Sequence, residues 1–123
     1  MDIVINTDSM IPIYEQIAEE VKQKIIRGEL RENDALPSVR VLSRQLKISA
    51  LTVKKAYDYL DELGLTATVH GKGSYVKAPK RALLQEEQRR EIEKDLDAVL
   101  QKARLYGVSA EELRRMLSIL TEE

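Results

Sequence analysis

Basic side chains are concentrated in two stretches of this chain that contain no acidic residue. One stretch runs from Ala35 to Tyr57 and the other from Gly64 to Gln85, where the only histidine, His70, also lies. Their basic residues are Arg40, Arg44, Lys47, Lys54 and Lys55 in the first, and Lys72, Lys77, Lys80 and Arg81 in the second. Cations grouped without carboxylates between them can neutralise phosphates, so the pattern indicates a nucleic-acid-binding surface despite a net charge of −1.

The residue types that other chemistries need are missing or wrongly spaced. The absence of cysteine excludes disulfides and thiolate metal sites, and the single histidine excludes a multi-histidine metal site. No Ser/His/Asp set for nucleophilic catalysis is recognisable. The run Gly71-Lys72-Gly73-Ser74 is similar to the end of a phosphate-binding P-loop but lacks the upstream glycine of that motif. We therefore predict that the protein is not an enzyme and carries neither a metal ion nor a cofactor.

Length and composition predict one small domain with an appendage. The five tyrosines are the only aromatic residues among 123, so the core must be built from Leu, Ile and Val. No apolar run approaches the roughly 20 residues that span a bilayer. The N-terminal residues 1–9 lack the basic segment and apolar core of a signal peptide. These features predict a cytoplasmic protein with no membrane partner.

The first predicted helix precedes the basic stretches. Ile13, Ile17, Val21 and Ile25 recur every four residues, which predicts an amphipathic helix that ends near Gly28. Ser9 is a candidate N-cap, and Pro12 suits the first turn. Residues 2–7 alternate weakly, which is compatible with either a short strand or an ordered arm.

Two further helices joined by a tight turn must position the first basic stretch. Ser38 is predicted to cap a helix that runs to about Leu46 and buries Val41, Leu42 and Leu46. Lys47 and Ile48 form the turn. Ser49 caps the next helix, which Gly64 ends, and its apolar side carries Val53, Ala56, Tyr57, Leu60 and Leu63. Lys54, Lys55 and the apolar Leu51 fall on the opposite side.

A β-hairpin and two helices complete the chain. Residues 65–69 and 74–77 are β-prone and flank the glycine-rich tip 70–73, and Pro79 closes this unit. A helix is predicted from about Arg81 to Tyr106, and a capping box of Ser109 and Glu112 begins the last one. Their apolar stripes are Ile92, Leu96, Val99 and Ala103, and Leu113, Leu117 and Leu120. Two helices alone cannot cover both stripes, so we predict that they pair with a second copy of the chain.

Five short segments at characteristic spacings carry a resemblance to a known family. They are Pro12-Ile13-Tyr14-Glu15-Gln16-Ile17, Leu36-Pro37-Ser38-Val39-Arg40, Thr52-Val53, Leu63-Gly64-Leu65 and Gly71-Lys72-Gly73-Ser74-Tyr75-Val76. Over residues 11–78 the chain resembles the winged helix–turn–helix of GntR-family bacterial transcription regulators. Most members add a large ligand-binding domain, whereas the short remainder here is similar to the helical dimerisation tail of the YtrA-like subfamily.

The resemblance implies a mainly α fold with a small β-hairpin. Residues 1–79 would be the winged helix–turn–helix DNA-binding domain and residues 80–123 a two-helix dimerisation segment. The DNA contacts of the family map onto Arg40, Ser49, Ala50, Leu51, Thr52, Lys54, His70 and Gly71. Charge and position add Ser38, Lys55 and Lys72 to this set of candidates. Many members have an arginine where this chain has Ala50, so we expect its operator to differ from theirs.

These observations predict a DNA-binding transcription regulator, specifically a repressor that binds a palindromic operator as a homodimer. Two alternatives remain open at this point. A winged helix can serve as a protein-interaction module, and a dimer interface could bind a small-molecule effector that controls DNA release.

Overall fold

The computed structural model describes residues 1–78 and 80–122. Over these residues the chain forms five helices and one antiparallel hairpin, which confirms the mainly α fold class. The elements are α1 (Ile13–Ile26), α2 (Val39–Leu46), α3 (Ala50–Glu62), β1 (Thr66–Val69), β2 (Gly73–Val76), α4 (Arg81–Leu105) and α5 (Ala110–Thr121). The chain divides into two compact units, Met1–Arg81 and Ala82–Glu123. Pro79, predicted to close the winged unit, lies outside the described residues.

The core of the first unit is formed where α1 and α2 pack on α3. Ile17, Val21, Leu42, Val53 and Leu60 are completely buried. Ile17 and Val21 lie four residues apart on α1, and Val53 and Leu60 lie seven residues apart on α3, so each pair falls on one face of its helix, as the periodicity predicts. Burial of each such side chain contributes about 1.5–3 kcal/mol, so these contacts fix α3 against the rest of the unit.

Two apolar residues that the sequence pattern assigns to this core are exposed instead. Val41 is 43% exposed because Val39, Leu42 and Leu46 occupy the inward face of α2 at steps of three and four, and Val39 packs on the core in its place. Leu63 is 39% exposed because α3 ends at Glu62. The buried Leu65, after the turn, continues the core there.

The N-terminal residues form an ordered arm, not a strand. Gln16 binds the arm through three hydrogen bonds: its Oε1 accepts from the Asn6 N–H (2.9 Å), and its Nε2 donates to the carbonyls of Asn6 (3.0 Å) and Ile11 (2.8 Å). The prediction that Ser9 caps α1 is wrong. Pro12 is the N-cap, and the Ser9 hydroxyl accepts from the Ile11 N–H at 3.1 Å within the arm.

The two predicted caps of the helix–turn–helix are confirmed. The Ser38 hydroxyl accepts from the Val41 N–H at 3.1 Å, and the Ser49 hydroxyl accepts from the Leu51 N–H at 3.1 Å. Each bond satisfies a backbone donor that the first turn of a helix leaves free. Between the helices, Lys47 adopts a left-handed conformation (φ 57°) that reverses the chain.

The hairpin pairs Thr66 with Val76 and Val69 with Gly73. A tight turn closes its tip, where the Lys72 N–H donates to the Val69 carbonyl at 2.9 Å. Gly71 has a φ of 78° in this turn, a conformation that costs glycine little. The loop before α2 supports the other edge of β2, since the Leu36 N–H donates to the Ser74 carbonyl at 2.9 Å.

The second unit consists of α4 and α5, joined by a turn at Gly107. The Ser109 hydroxyl accepts from the Glu112 N–H at 3.1 Å, as predicted for the start of the last helix. An open apolar groove of about 510 Å³ lies between the helices, with Leu96, Val99, Leu113, Leu117 and Leu120 among its lining residues. Ile92 is exposed, whereas Ala103, next to the turn, is buried. Within residues 1–78 and 80–122, every helix falls short of the length or the apolar character that a membrane span requires.

Candidate nucleic-acid interface

The N-terminal turn of α3 presents a positive helix end to solvent. Ser49 caps it, no acidic residue lies in its first turn, and Ala50 is exposed. The free N–H groups and the helix dipole make such a terminus attractive to a phosphate. Thr52 is half-buried, so its side chain serves both the edge of the core and the surface.

Leu51 is a large apolar side chain on this polar surface. It is 77% exposed, although the opposite side of α3 supplies the core. Its burial on folding therefore contributes little to stability. An aliphatic group in the first turn of a helix can contact a thymine methyl when that helix enters a major groove.

Lys54 lies one turn further along α3 and forms an ion pair with Asp58. Their Nζ and Oδ2 atoms are 2.9 Å apart, and the side chains are 62% and 56% exposed. Exposed pairs at this spacing on a helix are worth about 0.3–0.5 kcal/mol. The Lys54 ammonium can therefore leave Asp58 for a phosphate or a base edge at little cost.

Lys55 has an aromatic partner that the helical pattern did not reveal. Its ammonium lies 4.1 Å from the centre of the Tyr14 ring on α1, and Tyr14 meets Tyr59 edge to face at 6.2 Å. The Tyr14 hydroxyl donates to Glu15 at 3.1 Å, a hydrogen bond that raises the pKa of Tyr14. A cation–π contact at an exposed site is worth about 0.5–1 kcal/mol. Lys55 is thus directed towards α1, and a DNA contact would have to replace this interaction.

The first turn of α2 carries Ser38 and Arg40, which are both exposed. Among the described residues the Arg40 guanidinium has no ion-pair partner, so its donors are available to a ligand. Tyr57 holds the chain entering this turn, because its hydroxyl donates to the Pro37 carbonyl at 2.7 Å. Burial of the ring raises the pKa of Tyr57 well above its usual value, so this donor stays protonated.

The tip of the hairpin presents His70, Gly71 and Lys72, which are all exposed. Tyr75 supports this tip, since its hydroxyl donates to the Lys72 carbonyl at 3.1 Å. The tip therefore combines a cation with a fixed backbone, which suits a contact with a charged groove.

The structure places the predicted contact residues on three elements of one unit: α2, α3 and the hairpin. Sequence reasoning missed two groups that support the hairpin: the Tyr75 hydroxyl, which bonds to the tip, and the Asp61 carboxylate on α3, which accepts hydrogen bonds from the hydroxyls of Thr66 and Thr68. A signal for Asp61 is present, because Thr66 and Thr68 alternate on one face of β1 directly after the helix that carries it. In the described ranges no cluster of three or more acidic or histidine side chains could hold a metal ion.

Comparison with known proteins agrees with this geometry. The family model described as "Bacterial regulatory proteins, gntR family" matches residues 13–76. The HTH-type transcriptional repressor YtrA of Bacillus subtilis is 31% identical over 121 residues, which covers 98% of this chain and 93% of the relative.

Two solved structures extend the comparison to three dimensions. The crystal structure of a transcriptional regulator from Oenococcus oeni superposes with a TM-score of 0.70 at 27% identity, covering 97% of this chain and 98% of that one. The DNA-binding domain of AraR, solved in complex with operator ORX1, superposes with a TM-score of 0.55 at 28% identity, covering 62% of this chain and 95% of that one. The resemblance seen in the sequence is confirmed: the chain belongs to the gntR family of bacterial regulatory proteins.

Proposed function

We propose that this regulator represses transcription from the cytoplasm by binding a palindromic DNA operator as a homodimer. The observation that carries the proposal is the acid-free start of α3: its first turn presents the positive helix end and Lys54 follows directly, in the same winged unit as Arg40 and the hairpin tip. The Bacillus subtilis relative is named a repressor, which supports repression over activation as the role of this chain.

In this proposal α3 enters the major groove and the hairpin reaches the neighbouring minor groove. Ser49, Ala50, Leu51, Thr52 and Lys54 face base edges and the adjoining phosphates. Ser38 and Arg40 hold the sugar–phosphate backbone or a base edge from α2. His70, Gly71 and Lys72 form the second contact region. Phosphate contacts supply much of the affinity, and the few base contacts supply the specificity. The AraR complexes support this mode, because a related unit was solved bound to its operator.

The two units take separate roles in the proposal: residues 1–79 bind DNA and residues 80–123 bring two copies together. The apolar groove between α4 and α5 favours this division, because it leaves Leu96, Val99 and Leu117 about half exposed. A second copy would remove these side chains from water. Two-fold symmetry then predicts half-sites about 10 base pairs apart, or a multiple of that turn.

The groove between α4 and α5 also matters for the alternative in which a small-molecule effector binds at the dimer interface. Five of the seven side chains predicted to contact the second copy line this groove, so an effector that entered it would compete with dimerisation. A protein-interaction role for the winged unit is less well supported, because a protein partner gives no reason to exclude carboxylates from its surface.

Selection of bound duplexes from random DNA by the intact protein tests the proposal. We expect an inverted repeat, bound with an affinity that falls steeply with salt because lysines and arginines displace counterions from phosphates. Recovery of no common sequence, together with salt-independent binding, would contradict it. Repression is then measured with a reporter gene placed behind the selected operator.

A further inference from the structure

A carboxylate at the end of α3 is bonded to the hairpin by two hydroxyl groups. The Thr66 hydroxyl donates to Oδ1 of Asp61, and the Thr68 hydroxyl donates to Oδ2 at 2.7 Å. The Thr68 hydroxyl also lies 2.9 Å from that of Ser74 on β2. β1 is therefore bonded directly to one side chain of α3, and β2 is linked to it through Thr68.

This cluster is partly buried, unlike an interaction between two exposed side chains. Thr66 is almost completely buried, and Ser74 is buried as well. Hydrogen bonds to a charged group are roughly twice as strong as those between neutral groups. Both oxygens of Asp61 are engaged, whereas among the described residues its neighbour Glu62 has no such partner.

The cluster holds the hairpin from the α3 side, whereas the loop 33–36 supports β2 from the other side. The four residues of β1 span about 13 Å at 3.3 Å per residue, so a rotation of about 10° at the base moves the tip by about 2 Å. A hydrogen bond to a phosphate tolerates much less than that, since its donor–acceptor distance lies within about 2.7–3.2 Å. The tip can therefore contact a phosphate correctly only if the end of the hairpin next to α3 is held at a fixed angle.

We propose that Asp61 is a positioning residue: it sets the angle between the hairpin and α3 so that α3 and the hairpin tip contact DNA together. This inference rests on the proposed contact between the hairpin tip and DNA.

Binding of a mixed-sequence DNA duplex at low salt, where phosphate contacts dominate, provides the test. We expect Asp61→Ala to weaken binding on the order of tenfold. The slope of the logarithm of the binding constant against the logarithm of the salt concentration should fall by about one, as if the contact between the hairpin tip and a phosphate were lost. Glu62→Ala is the matched control, because it removes the same charge from the adjacent position without touching the hairpin. It should leave affinity unchanged or raise it. Asp61→Asn should restore most of the binding, since an amide can bond to both hydroxyls.

Double-variant cycles separate positioning from a general effect on the fold. Asp61→Ala should add no further loss to Lys72→Ala, because both act through the tip, but its loss should add to that of Arg40→Ala on α2. Thr68→Val offers a second route if Asp61→Ala unfolds the protein, since Thr68 is exposed and its replacement removes two of the hydrogen bonds.

The possible results are distinguishable. Equal binding of Asp61→Ala and Glu62→Ala would overturn the inference, and so would a loss that adds fully to that of Lys72→Ala. If Lys72→Ala itself binds normally, the proposed wing contact fails and this inference fails with it. If Lys72→Ala is weak while Asp61→Ala and Thr68→Val bind normally, only the inference fails.

Discussion

Whether a lysine on α3 is available to contact DNA depends on the interactions that its ammonium group already makes within the protein. Lys54 and Lys55 are adjacent in sequence and equal in charge, yet one pairs with Asp58 in its own helix and the other lies over Tyr14 of α1. Helical spacing predicts the first arrangement, because residues four apart are neighbours. It cannot predict the second, since Tyr14 is distant in sequence and meets Lys55 only through the packing of two helices.

Arg40 and Lys54 provide the first prediction. Replacing either with Ala should weaken operator binding by about 1–3 kcal/mol if the side chain reads a base. If it contacts only phosphate, binding to all sequences should fall and the salt slope should decrease by about one. Titration of labelled duplexes at several salt concentrations measures both. Lys94→Ala, which removes a charge from the tail, is the control; unchanged binding in both test variants would contradict the docking mode.

Leu51 provides the second prediction. Leu51→Ala should leave the melting temperature nearly unchanged, because the side chain is mostly exposed. It should reduce discrimination between thymine and uracil at one operator position, since uracil lacks the methyl group that Leu51 is proposed to contact. Duplexes with single substitutions measure this difference. If the wild type binds thymine-containing and uracil-containing duplexes equally well at every position, the methyl contact is excluded.

At the scale of elements, the helices could be predicted from the sequence, whereas the hydrogen bonds that connect loops to helices and strands could not. Apolar periodicity located α1, and periodicity together with serine caps located α2 and α3, to within a few residues, because local spacing decides both. Ser9 failed as a cap because Gln16 binds the arm and Pro12 begins the helix. The bonds from the 34–36 loop to β2 are long-range, and no local pattern encodes them.

The hairpin tip provides the third prediction. Lys72→Glu should reduce DNA affinity with an unchanged melting temperature, because an exposed tip contributes little to packing. Lys77→Glu makes the same charge change at the base of the hairpin and should have a smaller effect. Parallel thermal melts and binding titrations measure both quantities. Retained binding of Lys72→Glu at moderate salt would mean that the tip does not approach DNA.

For the whole molecule, the question is how two copies associate. The sequence predicted the apolar stripes of the tail, and the structure leaves most of them open along a groove. Ala103 is the exception, since it lies buried beside the turn. A periodic stripe identifies which residues share a face but does not determine which of them the same chain already covers.

The tail provides the fourth prediction. Removing residues 80–123 should leave a folded monomer, because the first unit has its own core. Loss of the linked second half-site should reduce operator affinity by about 100-fold or more. Sedimentation of the intact and truncated chains measures the assembly. An intact protein that stays monomeric at micromolar concentration, or a truncated one that still dimerises, would contradict the model.

A point substitution gives the fifth prediction and avoids the deletion. Leu117→Glu places a charge in the groove between α4 and α5 and should shift the intact protein towards monomer, because burial of an unpaired carboxylate is unfavourable. Ser118→Glu is the matched control, since Ser118 does not line the groove. Equal sedimentation of the two variants would indicate that copies associate elsewhere.

The open groove of the tail has a consequence for how gene expression responds to the amount of this protein. When copies are scarce and association is incomplete, the concentration of dimers rises with the square of the number of chains per cell. Operator occupancy then changes more steeply than the synthesis of the regulator itself. A modest fall in its production, or dilution during rapid growth, would release the controlled genes over a narrow range, and variation between individual cells would be largest near that threshold.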